Sequence, residues 1–369
     1  MEAMTDAAAA RGTFHEGPVA VARRTVGGFF NALVTPLVPA DYLDLFSPLR
    51  KSADLRGRVV AVERLEGNAT TVTLRPGRGW RGHRPGQYIR IGLEVDGVRL
   101  WRAYSITSPV QDAEGLITIT VRAIPEGRVS NHVLRHLRPG RLVMLDQATG
   151  EFTQPDQEPS KVLFITAGSG ITPVMGMLRN HQFKDAVLVH SSPDASQMLF
   201  ADELHQRAAS GEFRLVERFT STEGTLLASH IGEVVPDWAE RTVWVCGPTA
   251  LMDDAEAHWD AAGLAHSLHV ERFRPRIVTE GDGGEVTFTS SDKIVDAPAA
   301  TPILDVGEDA GVLMPSGCRM GICFNCVATL TSGSVRDLRT GETTQAIDED
   351  PVLIQTCVSA AAGPCSIKL

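Results

Sequence analysis

Four cysteines near the C-terminus constrain this chain more than any other feature. Three are spaced C-x4-C-x2-C and 30 residues separate the third from the fourth: Cys318, Cys323, Cys326 and Cys357. Gly317 and Gly321 let the backbone of this loop pass close to a bound group, where its N–H groups can donate hydrogen bonds. The first ten residues, MEAMTDAAAA, contain no apolar signal core, which predicts a reducing compartment. There, cysteines with this spacing are expected to bind metal rather than form disulfides.

The spacing favours an iron–sulfur centre. Three thiolates in one loop and a fourth from a distant strand are the ligand pattern of plant-type [2Fe–2S] clusters. A zinc site more often shows two C-x2–4-C pairs, whereas here the first gap is four residues and the last cysteine stands alone. Zinc ligation and unliganded core thiols remain the alternatives. Cys365 lies outside the spacing and is interpreted as a core thiol.

Length and composition limit what the rest of the chain can be. Its 369 residues are 43% hydrophobic and 22% charged, which predicts a soluble protein of two or three domains. The net charge is −10 and no long basic run occurs, so nucleic acid is not an expected partner. Prolines and Asn31 interrupt the early apolar stretch at 29–40, so no signal peptide or membrane span is predicted. The expected location is the cytoplasm.

The hydrophobic pattern changes along the chain. Residues 1–50 are predicted to form an extension of short helical pieces that pack on the body, with contact to an acceptor or a membrane surface as the alternative. Residues 51–155 contain short alternating runs between turns, which are typical of an antiparallel barrel. Residues 156–275 alternate apolar strands with helices, which predicts a parallel sheet covered on both faces. A polar linker at 276–283 precedes a last domain at 284–369.

Two motifs in the barrel segment point to a dinucleotide flavin. Arg102-Ala103-Tyr104-Ser105 places a cation, an aromatic ring and a hydroxyl on one extended stretch, with Arg102 and Tyr104 on the same face. Such groups can bind a phosphate, lie against an isoalloxazine ring and reach a ring nitrogen. Gly127-Arg128-Val129-Ser130 opens a predicted helix whose free N–H groups could hold a pyrophosphate. Taken singly, a structural Arg–Tyr pair and a simple N-cap turn are the alternatives.

Three motifs in the parallel-sheet segment suggest a nicotinamide site. The turn Gly168-Ser169-Gly170-Ile171-Thr172 links a strand to a helix and lets the backbone approach a pyrophosphate, although the G-x-G-x-x-G pattern is absent. Cys246-Gly247-Pro248 ends a later strand at the edge where such sheets bind ligands; a buried structural cysteine is the alternative. Ser191-Ser192 ends another strand without an adjoining acid, which favours NADP over NAD, although Asp194 is close.

In this order, RAYS, GRVSN, GSGITP, CGP and the cysteine spacing make the chain similar to the ferredoxin–NADP reductase superfamily. The resemblance covers about residues 50–369 and is to members with a C-terminal plant-type ferredoxin, which supply electrons to oxygenases and fatty-acyl desaturases. The segments LVTPLVPADYL and GHRPGQYIRIGL look most like those of stearoyl-CoA desaturase reductases. The resemblance implies a multidomain fold with an antiparallel β-barrel flavin domain, an α/β parallel-sheet NAD(P) domain and an α+β ferredoxin domain of the β-grasp type.

The resemblance also implies roles for individual residues. Catalysis would involve Ser105, Cys246 and Phe273, the last by covering the flavin ring until nicotinamide displaces it. FAD, favoured over FMN by the G-x-x-S arrangement, would be bound by Arg102, Ala103, Tyr104, Ser105, Val121, Arg122, Gly127, Arg128, Val129 and Ser130. NADPH or NADH would be bound by Gly168, Ser169, Gly170, Ile171, Thr172, Ser191, Ser192, Gly247 and Pro248. The [2Fe–2S] cluster would be bound by Cys318, Cys323, Cys326 and Cys357.

The expected activity follows from electron counting. A hydride carries two electrons and a [2Fe–2S] cluster accepts one, so a flavin must stand between them. The chain is expected to pass electrons from NAD(P)H through FAD and the cluster to a separate desaturase, hydroxylase or cytochrome P450. A flavin reductase or NAD(P)H oxidase acting directly on small molecules, and a redox-sensing interaction protein, are the alternatives. The complete set of motifs favours turnover over sensing.

Charge is unevenly distributed between the domains. Residues 61–155 contain 13 basic and nine acidic side chains, whereas residues 284–369 contain five basic and 11 acidic ones. The opposite signs predict electrostatic docking of the last domain on the barrel. Steering of the acidic domain toward a basic acceptor, or an ordinary solvated surface, would also account for this distribution.

Overall fold

The computed structural model describes residues 47–50, 54–125, 127–155, 157–274, 277–322, 324–347 and 350–369. Most of the predicted N-terminal extension, and the cluster cysteine Cys323, therefore lie outside the described residues. Within the described ranges, no helix has the length and apolar character needed to span a bilayer.

The first domain is an antiparallel barrel of six strands. The strands are β1 (Arg56–Leu65), β2 (Ala69–Pro76), β3 (Tyr88–Val95), β4 (Val98–Ser105), β5 (Ile117–Arg122) and β6 (Leu142–Leu145), in the order β4-β3-β6-β1-β2-β5. The edges β4 and β5 meet through a bridge between Ile106 and Ile119, and alternate residues such as Ile89 and Ile91 fill the interior. Helix α1 (Arg128–His136) packs Val129 and Val133 into the same core.

The second domain is a five-stranded parallel sheet. Its strands are β7 (Val162–Ala167), β8 (Ala186–Ser192), β9 (Arg214–Phe219), β10 (Thr242–Cys246) and β11 (Leu268–Glu271), in the order β11-β10-β7-β8-β9. Its helices are α2 (Ile171–Leu178), α3 (Ala201–Ala209), α4 (Thr220–Glu223), α5 (Ile231–Val234) and α6 (Thr249–Ala261). Phe164 belongs to one hydrophobic core and its neighbours Leu163 and Ile165 to another, so both faces are covered. The strand order reverses between β7 and β10, which opens a crevice at their carboxyl ends.

The third domain is a mixed sheet with one helix. It consists of β12 (Gly284–Phe288), β13 (Lys293–Ala297), α7 (Ile303–Asp309), β14 (Val327–Asp337), β15 (Thr343–Ala346), β16 (Val352–Gln355) and β17 (Ser359–Lys368). The order is β13-β12-β17-β14-β15, with β16 paired to β14 and with β12 and β17 parallel. Cys365 is buried in this core beside Phe288 and Leu304, as expected of a core thiol. The three architectures confirm the predicted fold class.

The segment between the second and third domains is attached to the third. The N–H groups of Val278, Gly281 and Gly283 donate to carbonyl groups of the ferredoxin domain at 2.8, 2.7 and 3.0 Å. Most of the predicted linker at 276–283 therefore continues the scaffold of the third domain.

The first and second domains are joined by polar side chains that follow α2. The Arg179 guanidinium donates to the Thr107 carbonyl at 2.8 Å, and the Asn180 side chain accepts from the Val110 N–H at 2.7 Å. Both partners lie in the loop after β4. These contacts fix the parallel sheet against the barrel on the side where the RAYS strand ends.

Candidate functional site

The RAYS motif occupies the end of β4. The Arg102 guanidinium is largely buried, donates to the Trp101 carbonyl at 2.8 Å, and has its pKa lowered to about 10, mainly by burial. Burial also raises the pKa of the Tyr104 phenol. The Ser105 hydroxyl oxygen is buried and has no hydrogen-bond partner among the described residues. An unpaired buried hydroxyl is costly unless a ligand completes it, so this strand fits a flavin with Ser105 directed to a polar ring atom.

The GRVSN motif forms the start of α1, as predicted. Among the described residues, no side chain caps the N–H groups of this helix end, which leaves them available for an anion. The Ser130 hydroxyl instead donates to the Gly127 carbonyl at 3.2 Å. A cavity of about 510 Å³ runs along one face of the helix and is lined by Arg128, Asn131 and Arg135. Cationic side chains and free N–H groups suit the diphosphate of a dinucleotide.

The glycine-rich turn and Cys246 meet in the crevice between β7 and β10. Gly168–Gly170 forms a single 3-10 turn, with Gly168 at a φ of +55°. A Cβ at Gly170 would overlap the Cys246 carbonyl oxygen, so only glycine lets these two segments approach each other. The Thr172 hydroxyl donates to the Ser169 carbonyl at 2.9 Å and closes the turn. This is the ligand-binding position of an open α/β sheet.

Arg122 lies on the barrel but reaches the parallel sheet. Its guanidinium donates to the Gln197 carbonyl and lies 3.6 Å from the Cβ position of Gly168, while its Nε atom is buried without a partner in the described part of the chain. The sequence analysis assigns Arg122 to the flavin; in the structure its guanidinium also lies beside the Gly168–Gly170 turn. A cation at that position could bind a phosphate of the cosubstrate.

The end of β8 is a buried polar cluster beside Arg122. His190 Nδ1 lies 2.8 Å from the Thr166 hydroxyl, and burial together with the Arg122 charge lowers the His190 pKa to about 3. The imidazole is therefore neutral at physiological pH. Ser191 and Ser192 are both buried, and the Ser191 hydroxyl has no partner among the described atoms. This group of polar side chains at the end of β8 could accept the adenosine portion of a nicotinamide dinucleotide.

Glu271 begins the Glu271-Arg272-Phe273 segment, which the resemblance places at the flavin face, although the sequence motifs gave its carboxyl group no role. It pairs with Cys246 in the register of β10 and β11, and its Oε2 atom is buried without a partner in the described structure. Burial raises the Glu271 pKa to about 8, so the carboxyl group holds a proton at neutral pH. The adjacent Arg272 donates to Asp253 at 2.7 Å and anchors this strand end to α6. Phe273 follows with 41% of its surface exposed.

The described cluster cysteines are buried in the third domain. The Cys326 and Cys357 sulfur atoms lie 3.1 Å apart, and the Met320 N–H donates to the Cys318 sulfur at 3.3 Å. Among the described residues, which exclude Cys323, no three metal-ligating side chains converge on one point. In a four-thiolate [2Fe–2S] cluster each iron takes two thiolates, so a close pair and an N–H directed at a third sulfur fit this group.

Tyr88, which sequence reasoning also missed, lies where the three domains meet. It is the direct partner of Ser105 in the register of β3 and β4, and its ring lies 3.1 Å from the Cβ position of Gly150. The charges of Cys318 and Glu271 both act on its phenol, whose pKa is raised mainly by burial. Tyr88 therefore pairs with the RAYS strand and lies within electrostatic range of the end of β11 and of the loop that holds Cys318. Only the strand register could have indicated this, because the three partners come from distant parts of the chain.

A larger cavity, of about 660 Å³, lies between the loop after β4 and α3. Its arginines are paired with its acids: Arg179 with Glu203 at 2.8 Å, and Arg207 with Glu212 at 2.6 Å. It contains none of the residues predicted for the site. We assign the redox site to the domain junction and not to this cavity.

Comparison with known proteins identifies the family. Three family models match in order: the oxidoreductase FAD-binding domain at residues 59–154, the oxidoreductase NAD-binding domain at 164–257, and the 2Fe-2S iron-sulfur cluster binding domain at 286–362. An NADPH oxidoreductase of Mycobacterium tuberculosis (strain H37Rv) is 45% identical over 346 residues, which cover 91% of this chain and 90% of that protein. The chain belongs to the ferredoxin–NADP reductase superfamily. Its cofactors are FAD, a [2Fe–2S] cluster and a nicotinamide cosubstrate.

Other members of the superfamily include reductases of oxygenase systems. The glycine betaine monooxygenase reductase subunit of Pseudomonas aeruginosa (strain UCBPP-PA14) is 29% identical over 316 residues, which cover 76% of this chain and 85% of that protein. The solved structure of phthalate dioxygenase reductase superposes with a TM-score of 0.59 at 23% identity, over 85% of this chain and 97% of that one. The superposition on phthalate dioxygenase reductase supports the three-domain fold of this chain.

Proposed function

We propose that this protein is the reductase of a multicomponent system, oxidising NADPH and delivering single electrons from its [2Fe–2S] cluster to a separate acceptor protein. The meeting of three sites around Tyr88 carries the proposal. The proposal is supported by the pairing of Tyr88 with Ser105, the pairing of Cys246 with Glu271, and the electrostatic influence of both Glu271 and Cys318 on the Tyr88 phenol. A protein that only sensed redox state would not need a nicotinamide site beside its cluster.

The residues at the junction have distinct tasks in this proposal. Ser105 donates to a polar atom of the flavin ring, and Arg102 with the α1 N-terminus holds the FAD phosphates. The Gly168–Gly170 turn and Arg122 hold the cosubstrate phosphates, while Cys246 provides a small side chain beside the nicotinamide. Phe273 covers the ring when no nicotinamide is bound. Bound FAD supplies the conversion between a two-electron donor and a one-electron acceptor.

NADPH is the favoured cosubstrate for two reasons. The acid near the end of β8, Asp194, is occupied: its carboxylate accepts from Ser196 at 2.6 Å and from the Gln197 side chain at 2.8 Å. It is therefore engaged locally and not offered to a ribose hydroxyl, as NAD recognition would require. The Mycobacterium tuberculosis relative is named an NADPH oxidoreductase. The ratio of kcat/KM for NADPH and NADH tests this preference, and a ratio below one contradicts it.

The acceptor is proposed to be a monooxygenase component or a fatty-acyl desaturase. The monooxygenase reductase subunit among the relatives supports the first class. The likeness of two segments to stearoyl-CoA desaturase reductases supports the second. We propose a cytoplasmic location, which a nicotinamide donor and a thiolate-ligated cluster support, with peripheral contact to a membrane where the acceptor is membrane-bound.

One pair of variants tests the electron route. Cys357→Ser removes a proposed cluster ligand, whereas Cys365→Ser changes a buried cysteine of the same domain outside the ligand spacing. We expect Cys357→Ser to lose cytochrome c reduction while it keeps NADPH–ferricyanide activity, and Cys365→Ser to keep both. Cytochrome c reduction that survives in Cys357→Ser would instead support a flavin reductase. Absence of NADPH oxidation with every acceptor would support a redox sensor.

A further inference from the structure

Arg339 is a cation of the third domain that lies against the loop holding the first three cysteines, although it is distant from them in sequence. The Arg339 NH1 atom donates to the Gly321 carbonyl at 3.1 Å, and NH2 lies 3.3 Å from the Gln355 side-chain oxygen. Gly321 lies inside the three-cysteine loop, and Gln355 lies two residues before Cys357. One guanidinium therefore contacts both segments that carry the proposed cluster ligands.

The backbone of the loop is shaped to admit this guanidinium. Gly321 has a φ of +74°, and a Cβ at this position would lie 2.8 Å from the Arg339 Cζ atom. The Gly321 carbonyl also accepts from the Gln355 side-chain nitrogen at 3.0 Å. Any side chain at position 321 would displace Arg339 from the loop. Gly321 thus permits both the turn and the close approach of the Arg339 guanidinium.

The orientation of Arg339 is fixed by one carboxylate on its outer side. Asp337 accepts from the Arg339 Nε atom at 3.1 Å and from NH2 at 2.7 Å, a bidentate arrangement. The opposite edge of the guanidinium faces the loop, where its charge acts on Cys326 and Cys357. Asp337 thus occupies Nε and NH2, while NH1 donates to the loop. Because Coulomb energy falls with distance, we expect the guanidinium, which contacts the loop directly, to act more strongly at the cluster than its carboxylate partner.

The other arginine near the cysteines is neutralised differently. Arg319, next to Cys318, forms ion pairs with both Asp305 and Glu308 of α7. Two carboxylates thus offset the charge of one guanidinium on that side of the loop. Arg339, with one carboxylate, is the cation positioned to act on the Cys326–Cys357 side.

We propose that Arg339 is a positioning residue that raises the reduction potential of the [2Fe–2S] cluster and thereby favours electron transfer into it. A cluster with four thiolate ligands becomes more negative on reduction, so a fixed cation stabilises the reduced form more than the oxidised form. Hydrogen bonding of the guanidinium to Gly321 holds this charge at a constant distance. The inference rests on the proposed cluster ligands and adds to them a residue that tunes the centre.

The test is a potentiometric titration of the holoenzyme, followed by the electron paramagnetic resonance signal of the reduced cluster. In Arg339→Gln we expect the equilibrium constant for cluster reduction to fall about tenfold, which is 59 mV for a one-electron couple. Arg339→Lys, which keeps the charge, should recover most of this shift. The control is Arg336→Gln, which removes an arginine of β14 that pairs with Asp282 at 3.2 Å and should leave the potential unchanged.

The outcomes separate this inference from the proposed function. Wild-type protein without stoichiometric iron, sulfide and a cluster signal would contradict the function itself. With the signal present, an unshifted potential in Arg339→Gln would overturn the inference, as would an equal shift in Arg339→Lys. If Arg339→Gln does not retain its cluster, the reduction potential of Asp337→Asn is measured instead to test the proposal. Removing the negative charge must then raise the potential, and an unchanged or lower value overturns the proposal.

Discussion

Cys246 and Glu271 are direct register partners at the carboxyl edge of the parallel sheet, and the carboxyl group holds a proton at neutral pH. Burial of Glu271 without a hydrogen-bond partner for Oε2 in the described structure accounts for the raised pKa. The edge of the nicotinamide crevice therefore carries a neutral acid next to a buried thiol. This arrangement makes the stability of the folded protein sensitive to pH.

The pH dependence of stability has a definite sign. The Glu271 pKa rises from about 4.5 in the unfolded chain to about 8 in the folded one, so the folded state binds more protons between these values. The free energy of unfolding should therefore fall as pH rises from about 4.5 to 8. Glu271→Gln should remove part of this fall, measured by urea unfolding at pH 5 and pH 8. Glu285→Gln, at an exposed site, is the control, and parallel curves for wild type and Glu271→Gln would contradict the assignment.

Ser105→Ala should separate folding from catalysis. Because the Ser105 hydroxyl is buried without a partner, its removal should leave the Tm of the flavin-free protein unchanged or slightly higher. The rate of flavin reduction by NADPH in stopped flow should fall about a hundredfold, as is usual for loss of one preorganised donor. Ser290→Ala, at an exposed site, should change neither quantity. A lower Tm with a normal reduction rate would show that the hydroxyl is structural.

Gly170→Ala should damage the nicotinamide crevice. The added methyl group would overlap the Cys246 carbonyl oxygen, which forces the turn and the end of β10 apart. We expect a loss of about 1–3 kcal/mol in stability and a higher KM for NADPH. In the control Gly232→Ala, the new methyl group would lie 3.3 Å from the Trp238 Nε1 atom, well away from the crevice. Normal NADPH kinetics in Gly170→Ala would refute this reading of the crevice.

Asn180→Ala should loosen the barrel from the parallel sheet. The change leaves the Val110 N–H without its 2.7 Å acceptor and also removes the 3.3 Å bond to the Ser108 carbonyl. The expected cost is about 0.5–1.5 kcal/mol, with a broader calorimetric transition as the two domains begin to unfold separately. Gln206→Ala, which removes an exposed amide from α3, is the control. A single sharp transition at the wild-type temperature would contradict a coupling role for Asn180.

Local patterns predicted the architecture and the principal motifs. The alternation of apolar and polar residues in β3 indicated a strand with one buried face, on which Ile89 and Ile91 lie. The continuous apolar run of β7 indicated a sheet covered on both faces. These features follow from neighbouring residues and the period of the strand. The assignments of cofactor ligands stay predictions, and that of Cys323 lies outside the described residues.

The residues that sequence reasoning missed depend on long-range packing. Tyr88 acquires its position from the register of two strands and the approach of a third domain. Arg339, two residues after β14, reaches the cluster loop, and Arg122, which the sequence analysis assigns to the flavin, also contacts a carbonyl 75 residues away. No local spacing encodes such contacts. They become visible only when the side chain, its acceptor and their burial are known together.

The attachment of residues 278–283 to the ferredoxin domain shortens its tether. Between Phe273 and Val278 the backbone spans at most about 18 Å when fully extended. A connection of this length limits how far the third domain could move from the second. We therefore expect the electron acceptor to bind at the reductase itself.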